Sequence, residues 1–233
     1  MLKVELHAHT SDDPDDYVPR TVERLVDRVA ELGYHAIVIT LHNRQLDVEP
    51  YREYARLRNI VLIPGVERSI ECPHVLLIDF PRVAAEAVHT FEDLAVLRIR
   101  TDGLVVATHP YFPASSCLGL DLDRHPDLFD AFEIYALYAR RIDFNRRAIA
   151  WAGAHGRPLV GNGDIHRLCQ LGTTWSLVDA EPDPDAICAA IKTGRVEVRS
   201  DPISVWRMLY LLAAVLPFGL PHTFGISRTS GVR

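Results

Sequence analysis

The stretch that decides the fold is LKVELHAHTSDDPDD, residues 2–16. Its first half is typical of a short strand, and His7 and His9 stand two residues apart, a spacing that places both imidazoles on one side of an extended chain. Aspartates at positions 12, 13, 15 and 16 follow directly. Imidazole and carboxylate groups together suit a divalent cation. This pattern alone also fits a solvated acidic loop, so the metal prediction depends on the rest of the chain.

Composition limits the classes of protein to be considered. With 233 residues, 48% of them hydrophobic, the chain is long enough for one sizeable core. We expect one α/β domain over residues 1–202 and an apolar segment and tail over residues 203–233. The net charge of −6 makes long nucleic acid an unlikely partner, because a phosphate polymer usually needs a basic channel. Four widely spaced cysteines and the lack of a signal-peptide pattern predict reduced thiols and a cytoplasmic location.

Short apolar runs alternate along the chain with segments of helical spacing. Strands are predicted at residues 2–6, 36–40, 61–67, 74–80, 104–109, 131–135 and 159–164. Helices are predicted at 22–32, at 83–99 and at 140–155, and a further polar helix is predicted to follow the second strand and to end at about residue 58. Two later strands, near 175–178 and 196–199, flank a helix that starts near Pro184. This alternation indicates a mostly parallel sheet that is doubly wound or closed into a barrel.

The polar candidate residues stand where the predicted strands end. They are His7, His9, His42, Glu67, His109, Asp164 and His166. The ends of parallel strands in a β/α barrel converge on one mouth, so a shared metal centre is expected there. His74 instead begins a strand, but the short link from Glu67 predicts a hairpin that brings His74 beside the end of the preceding strand. The barrel is therefore expected to contain one antiparallel neighbour.

The ordered set of motifs resembles the polymerase and histidinol phosphatase (PHP) superfamily. The resemblance spans residue 3 to about residue 173 and is carried by HAHT at 7–10, ITLHN at 39–43, PGVE at 64–67, His74, THP at 108–110 and GNGDIH at 161–166. It implies a distorted (β/α)7 TIM-like barrel and a metal-dependent phosphoesterase. It also implies a trinuclear centre with the ligands His7, His9, Asp13, Asp16, His42, Glu67, His74, His109, Asp164 and His166. In the acidic loop, spacing in similar sequences favours the aspartates at positions 13 and 16 over those at 12 and 15.

Three positions depart from the family pattern. Leu41 stands where an Asp is usual, which removes a partner of the neighbouring ligand and leaves His42 itself in place. Gly163 and Ile165 replace the usual Ser and Ala on either side of Asp164. The resemblance therefore implies that the ligand set is complete and that its surroundings differ.

The implied chemistry is hydrolysis of a phosphoester. Two or three divalent ions, Mn, Zn or Fe, are expected on the mixed ligands, with Glu67 bridging two of them and an activated water attacking phosphorus in line. The residues expected to act directly in catalysis are Glu67, His109, Asp164 and His166. The favoured substrate is a small phosphomonoester or a nucleotide. The alternatives are a phosphodiesterase or exonuclease acting on short oligonucleotides, and a non-catalytic, metal-stabilised binding or regulatory domain.

Two further expectations concern contacts with substrate and partner. Arg140 and Arg141 are candidates to bind the substrate phosphate, although arginines in such a run more often form a solvated helix face; Arg68 is a third candidate if a turn aims it at the site. The apolar run within residues 203–221 is too short and too interrupted to span a bilayer. It is expected either to close the barrel or to meet a protein partner or a membrane surface.

Overall fold

The computed structural model describes residues 1–215, with side chains through residue 212. Strands and helices alternate along most of this part of the chain. In order, they are β1 (Leu2–Glu5), α1 (Val22–Glu31), β2 (Ala36–His42), α2 (Glu49–Arg56), β3 (Val61–Ser69), β4 (His74–Ile78), α3 (Arg82–Glu86), α4 (Phe91–Arg100), β5 (Leu104–Ala107), α5 (Asp121–Arg124), β6 (Ala131–Tyr135), α6 (Asn145–Ala154), β7 (Leu159–Asn162), β8 (Thr174–Val178), α7 (Pro184–Lys192), β9 (Val196–Ser200) and α8 (Val205–Val215).

The nine strands form one sheet in the order β7-β6-β5-β4-β3-β2-β1-β8-β9. Strands β1, β2 and β3 are parallel, as are β5, β6 and β7, while β4 runs antiparallel to both of its neighbours. The predicted hairpin between β3 and β4 is therefore present. Strand β8 is also antiparallel, to β1 and to β9, which the expectation of one antiparallel neighbour did not include.

The two ends of the sheet curl toward each other and nearly close a barrel. The Gly161 N–H on β7 donates to the Ser176 hydroxyl on β8 at 2.9 Å, and that hydroxyl donates to the Gly161 carbonyl at 3.2 Å. A Cβ at Gly161 would lie 2.8 Å from the carbonyl oxygen of Trp175, so only glycine permits this approach. The fold is a distorted TIM-like barrel, as the sequence indicated.

The apolar core is divided by the sheet. One face of strands β2 to β7 carries the polar candidates. The apolar side chains on that face, such as Val38, Ile63 and Leu76, form one cluster with Ile187 and Ile191 of α7. The opposite face packs against α1 and α2 on one side and against α4 and α6 on the other. Because each strand presents alternate residues to the two faces, the apolar residues fill the barrel and the polar ones collect at the strand ends.

Two predicted helices have different bounds. The expected helix at 83–99 is two helices, α3 and α4, because Thr90 and Asp93 form a reciprocal capping box that starts a new helix. The helix expected from residue 140 begins at Asn145, because Ala139 and Ile142 pair across a tight turn first. Arg140 and Arg141 therefore lie in this turn.

Helix α8 packs on the loop that follows β6. Met208 and Leu211 form a buried cluster with Leu137 and Ile203, whereas Trp206 and other apolar residues of the helix are exposed. None of the helices among residues 1–215 combines the length and the apolar character that crossing a bilayer requires. The boundary at residue 203 and the contact of residues 203–221 with a partner or membrane stay predictions, and residues 216–221 lie outside the described part of the chain.

The cysteines allow a test of the core beneath the barrel. Cys188 on α7 is buried, and burial raises the pKa of its thiol to about 12, whereas Cys72 and Cys169 are exposed. The thiolate is the reactive form, so Cys188 is expected to resist a thiol reagent at pH 8 while Cys72 and Cys169 react. Labelling followed by peptide mass spectrometry would measure this. Labelling of Cys188 in the folded protein at the rate seen after denaturation would contradict the packing of α7.

Candidate metal centre

Glu67, near the end of β3, is the group around which the polar residues gather. Its carboxylate is 2% exposed, and its Oε2 lies 3.2 Å from His7 Nε2, 3.3 Å from His9 Nε2 and 3.1 Å from His42 Nε2. Its other oxygen, Oε1, lies 2.9 Å from His74 Nδ1 and 3.5 Å from His109 Nε2. The predicted hairpin supplies His74, since Ser69 of β3 pairs with His74 of β4. One carboxylate therefore faces five imidazoles from four separate parts of the chain.

Asp164, just after β7, closes the opposite side of the cluster. Its Oδ1 lies 3.3 Å from His7 Nε2, 3.4 Å from His9 Nε2 and 3.2 Å from His166 Nδ1. The three atoms His7 Nε2, His9 Nε2 and Asp164 Oδ1 are buried and have no hydrogen-bond partner. Buried polar atoms are rarely left unpaired unless a ligand satisfies them.

The donor atoms fall into three overlapping groups, and within each group they lie within 4.8 Å of one another. The groups are His9, His42 and His166; His7, His9, Glu67 and Asp164; and His42, Glu67 and His74. Imidazole nitrogens and carboxylate oxygens at this separation suit Mn, Zn or Fe. Together with the unpaired buried atoms, this donor chemistry shows that the residues fit divalent metal ions.

The acidic loop places two of its four aspartates against the histidines. The Asp13 carboxylate is fully buried and lies 2.8 Å from His9 Nδ1 and 3.1 Å from His42 Nδ1, and it accepts the backbone N–H of His42. Asp16 Oδ2 lies 2.8 Å from His166 Nε2. The aspartates at positions 12 and 15 instead accept hydrogen bonds from Thr10 and Asn43. Asp13 is therefore placed to orient the imidazoles of His9 and His42, and Asp16 contacts the imidazole of His166.

The charges of the cluster control its ionisation. Burial on its own would raise the pKa of Glu67, but the neighbouring charges of His7, His74 and His42 hold that pKa well below its usual value. Burial likewise opposes the charge on Asp164, and His7 and His166 again lower its pKa well below the ordinary range. Both carboxylates are therefore available as anionic ligands.

A second layer of carboxylates lies beneath the ligands and was missed from the sequence. Glu133 in the middle of β6 is fully buried and accepts three hydrogen bonds, from His7 Nδ1 at 3.0 Å, from Asn162 Nδ2 at 3.0 Å and from the His109 backbone N–H at 2.7 Å. Glu5 on β1 accepts the backbone N–H groups of His7 and Gly163. Burial raises the pKa of Glu5 to about 8.

A signal for these two residues was present in the sequence. Each is a single carboxylate inside an apolar strand-length run, VEL at 4–6 and FEI at 132–134. A glutamate in such a run is rarely buried without a partner. Its position on the strand therefore points to a polar group inside the barrel.

Two site residues have strained backbones. His109 has φ +28° and Asp164 has φ +48°, in the left-handed region that non-glycine residues seldom adopt. The bond from His109 N–H to Glu133 holds the first, and Gln170 donates from Nε2 to the Asp164 carbonyl at 2.7 Å to hold the second. Backbone strain is retained at two residues that present candidate ligand atoms, which indicates that their positions matter for function.

The departures from the family pattern have local explanations. Leu41 lies in the apolar cluster against α1 and α2, and His42 takes its carboxylate partner from Asp13. A Cβ at Gly163 would lie 2.1 Å from Ile165 Cδ1, so the isoleucine side chain occupies the space that a side chain at 163 would need. The two changes around Asp164 therefore compensate each other.

The arginines expected to bind substrate are not gathered at the cluster. The guanidinium of Arg68 is occupied by the Val88 carbonyl, by Asn43 Oδ1 at 2.9 Å and by His89, on the strand face opposite Glu67. Arg140 and Arg141 are exposed in the turn after β6. Substrate binding by Arg68 stays a prediction. In the structure its donors are directed at Val88, Asn43 and His89.

Known proteins share this architecture. The PHP-associated family matches residues 143–196 of the chain, and no curated protein matches its sequence. A two-domain protein from Bacteroides vulgatus that contains a predicted PHP-like metal-dependent phosphoesterase superposes with a TM-score of 0.65 at 18% identity, over 91% of this chain and 69% of that chain. The chain therefore shares the fold of that protein.

Two further solved structures share the fold of this chain. PsfC from Pseudomonas syringae has a TM-score of 0.65 at 17% identity, over 93% of this chain and 97% of that chain. The lesion-specific endonuclease Q from Pyrococcus furiosus has a TM-score of 0.57 at 15% identity, over 91% of this chain and 66% of that chain, and a complex of endonuclease Q with a 27-mer duplex also matches, at 16% identity. At these identities the likeness establishes the fold, and it confirms the α/β barrel architecture expected from the sequence.

The layer beneath the ligands can be tested at Glu133. All three of its partners are N–H donors, so a glutamine there would turn its own NH2 group toward a donor. E133Q is expected to lower metal affinity by about 10–100-fold, the usual effect of removing an outer partner of a ligand histidine. Metal content after dialysis against graded chelator measures this, with the exposed Glu181 as a matched control in E181Q. Unchanged metal retention in a folded E133Q protein would show that Glu133 does not position His7.

Proposed function

We propose that the chain is a metal-dependent hydrolase of a small phosphomonoester or a nucleotide. The observation that carries this proposal is the position of Glu67, with one carboxylate oxygen facing His7, His9 and His42 and the other facing His74 and His109. Glu67 and these five imidazoles would be the residues that hold the ions. Two or three divalent ions held there would supply an activated water and would offset the charge that develops on phosphorus.

The residues of the chain would supply the ligands and fix their orientation. Glu67 and Asp164 provide the anionic ligands, and their low pKa values keep them ionised. Asp13 fixes the rings of His9 and His42, and Glu133 fixes that of His7. Preorganised ligands of this kind lower the cost of reaching the transition state, since little has to move during the reaction. His109 and His166 complete the set proposed to act directly in catalysis.

An aromatic wall beside His109 is a proposed contact for the substrate. The residues Phe112, Tyr135 and Phe144 line a cavity of about 10 Å³ together with His109, which is room for about one water molecule. Phe112 meets the rings of Tyr135 and Phe144 edge-on, with centroid distances of 5.3 and 5.4 Å. We propose that the apolar part of the substrate contacts this wall. Arg140 and Arg141, in the turn between Tyr135 and Phe144, are proposed as contacts to its polar part.

A nuclease is the second candidate, and the likeness to endonuclease Q favours it. That enzyme shares the fold of this chain and is seen with a 27-mer duplex, so the comparison does not favour the expectation that long nucleic acid is an unlikely partner. The net charge of −6 still argues for a short substrate. Parallel assays with p-nitrophenyl phosphate, short oligonucleotides and duplex DNA at two salt concentrations would separate the two candidates. A cytoplasmic location is proposed for either.

The proposal is tested by replacing the bridging carboxylate. E67Q is expected to lose one metal ion and to lower kcat/KM by about 100-fold or more, which is beyond the effect of removing an outer partner. The exposed Glu92 on α4 supplies the control, E92Q. Elemental analysis and initial rates with Mn, Zn and Fe provide the readouts.

Each result of that experiment has a distinct meaning. Loss of both metal and turnover in E67Q supports the proposal. Wild-type protein that retains its metal but hydrolyses none of the phosphoesters would instead indicate a metal-stabilised binding or regulatory domain. Wild-type protein that carries no metal after growth with Mn and Zn would contradict both.

A further inference from the structure

Arg20 is a buried cation whose hydrogen bonds are incomplete. The residue is 7% exposed, and its Nη1 atom is buried and has no hydrogen-bond partner among the described residues. Burial also lowers the pKa of this guanidinium to about 10. Leaving a charged donor desolvated and unpaired is costly, so native proteins rarely retain one without a partner.

A second arginine adds to this unbalanced charge. The positive charge of Arg167 also lowers the pKa of Arg20, so the two guanidinium groups lie within range of each other's fields. No ion pair among the described residues involves either arginine, although nine other arginines of that part of the chain have a carboxylate partner. The sequence after residue 201 contains neither Asp nor Glu, so no carboxylate side chain of that segment can complete the pair.

Both arginines stand on loops that also carry candidate metal ligands. Arg20 is four residues beyond Asp16, and its carbonyl accepts the Ser11 N–H at 2.6 Å. Arg167 directly follows His166, and Gln170 holds the backbone N–H groups of both residues with one side-chain oxygen. The two loops are joined by the 2.8 Å contact between Asp16 and His166. Both arginines therefore belong to loops that are joined at the side of the metal centre.

We propose that Arg20 and Arg167 bind an oxyanion of the phosphate class at a site separate from the metal ions. Two guanidinium groups offer planar, paired donors that match a phosphate better than an ammonium group does. If the oxyanion is part of the substrate, it is a second acidic group away from the bond that is cleaved. This part of the inference rests on the proposed function. As a free ion, it would be phosphate itself, bound whether or not the protein is an enzyme.

Inorganic phosphate is the first probe, used with the chelator-treated full chain so that the metal ions do not contribute. Calorimetry is expected to show binding that falls by about 10-fold or more in R20Q and in R167Q, as loss of a charge-assisted bond predicts. The control is R24Q, since Arg24 is exposed on α1. Phosphate is also expected to raise the Tm of the wild-type protein and not that of R20Q. R20Q without phosphate is expected to be at least as stable as wild type, because it removes an unpaired buried charge.

The second probe distinguishes the two sources of the anion. With metal-loaded protein, a rise in KM in R20Q that is larger for fructose 1,6-bisphosphate than for p-nitrophenyl phosphate assigns the site to the substrate. An equal effect on both, with phosphate binding lost, assigns it to the free ion. Phosphate binding that is absent from wild type, or unchanged in both variants, would overturn the inference. A complete lack of hydrolysis would overturn the proposed function only, because the calorimetry needs no turnover.

Discussion

The fold depends on keeping one buried carboxylate surrounded by imidazoles. Glu67 is almost fully enclosed, and burying its charge without partners would cost far more than a single domain can spare. Its partners come from the segment after β1, from β2, from β4 and from the segment after β5, so the barrel must close for the charge to be satisfied. The same closure creates the position for metal ions, which links the stability of this end of the barrel to its chemistry.

The groups behind the ligands follow from the same constraint. An imidazole that presents one nitrogen to a metal has a second nitrogen that needs an acceptor, and Asp13 and Glu133 provide one to His9 and His7. Glu133 also accepts the His109 N–H, so a single side chain fixes two ligands from different strands. All three of its partners are N–H donors, so a carboxylate suits this position better than an amide does. The site is consequently specified by acceptor groups in the barrel as much as by the ligands.

The ligands could be predicted from the sequence because strand ends are visible in it. Runs of apolar residues stop at His42 and Glu67, and the parallel topology then brings those ends together. The hairpin that carries His74 was predictable from a short link for the same reason. Glu133 was missed because it lies in the middle of a strand, whereas the candidate residues were sought at strand ends. The reversed strand β8 was missed because a helix usually joins parallel strands, and α7 joins two antiparallel ones.

Net charge is too coarse a quantity to decide what this site binds. The overall value of −6 includes the carboxylates that the histidines neutralise and the exposed ion pairs that contribute little to the field at the mouth. A substrate is exposed to the local charges at the mouth of the barrel. The ligand residues there suit cations, whereas Arg20 and Arg167 have no acidic partner among the described residues. A ligand that satisfies both must be anionic at two places, or two anions must bind together. The unbalanced charge beside the centre therefore restricts the substrate more tightly than the fold, which PsfC and endonuclease Q also share.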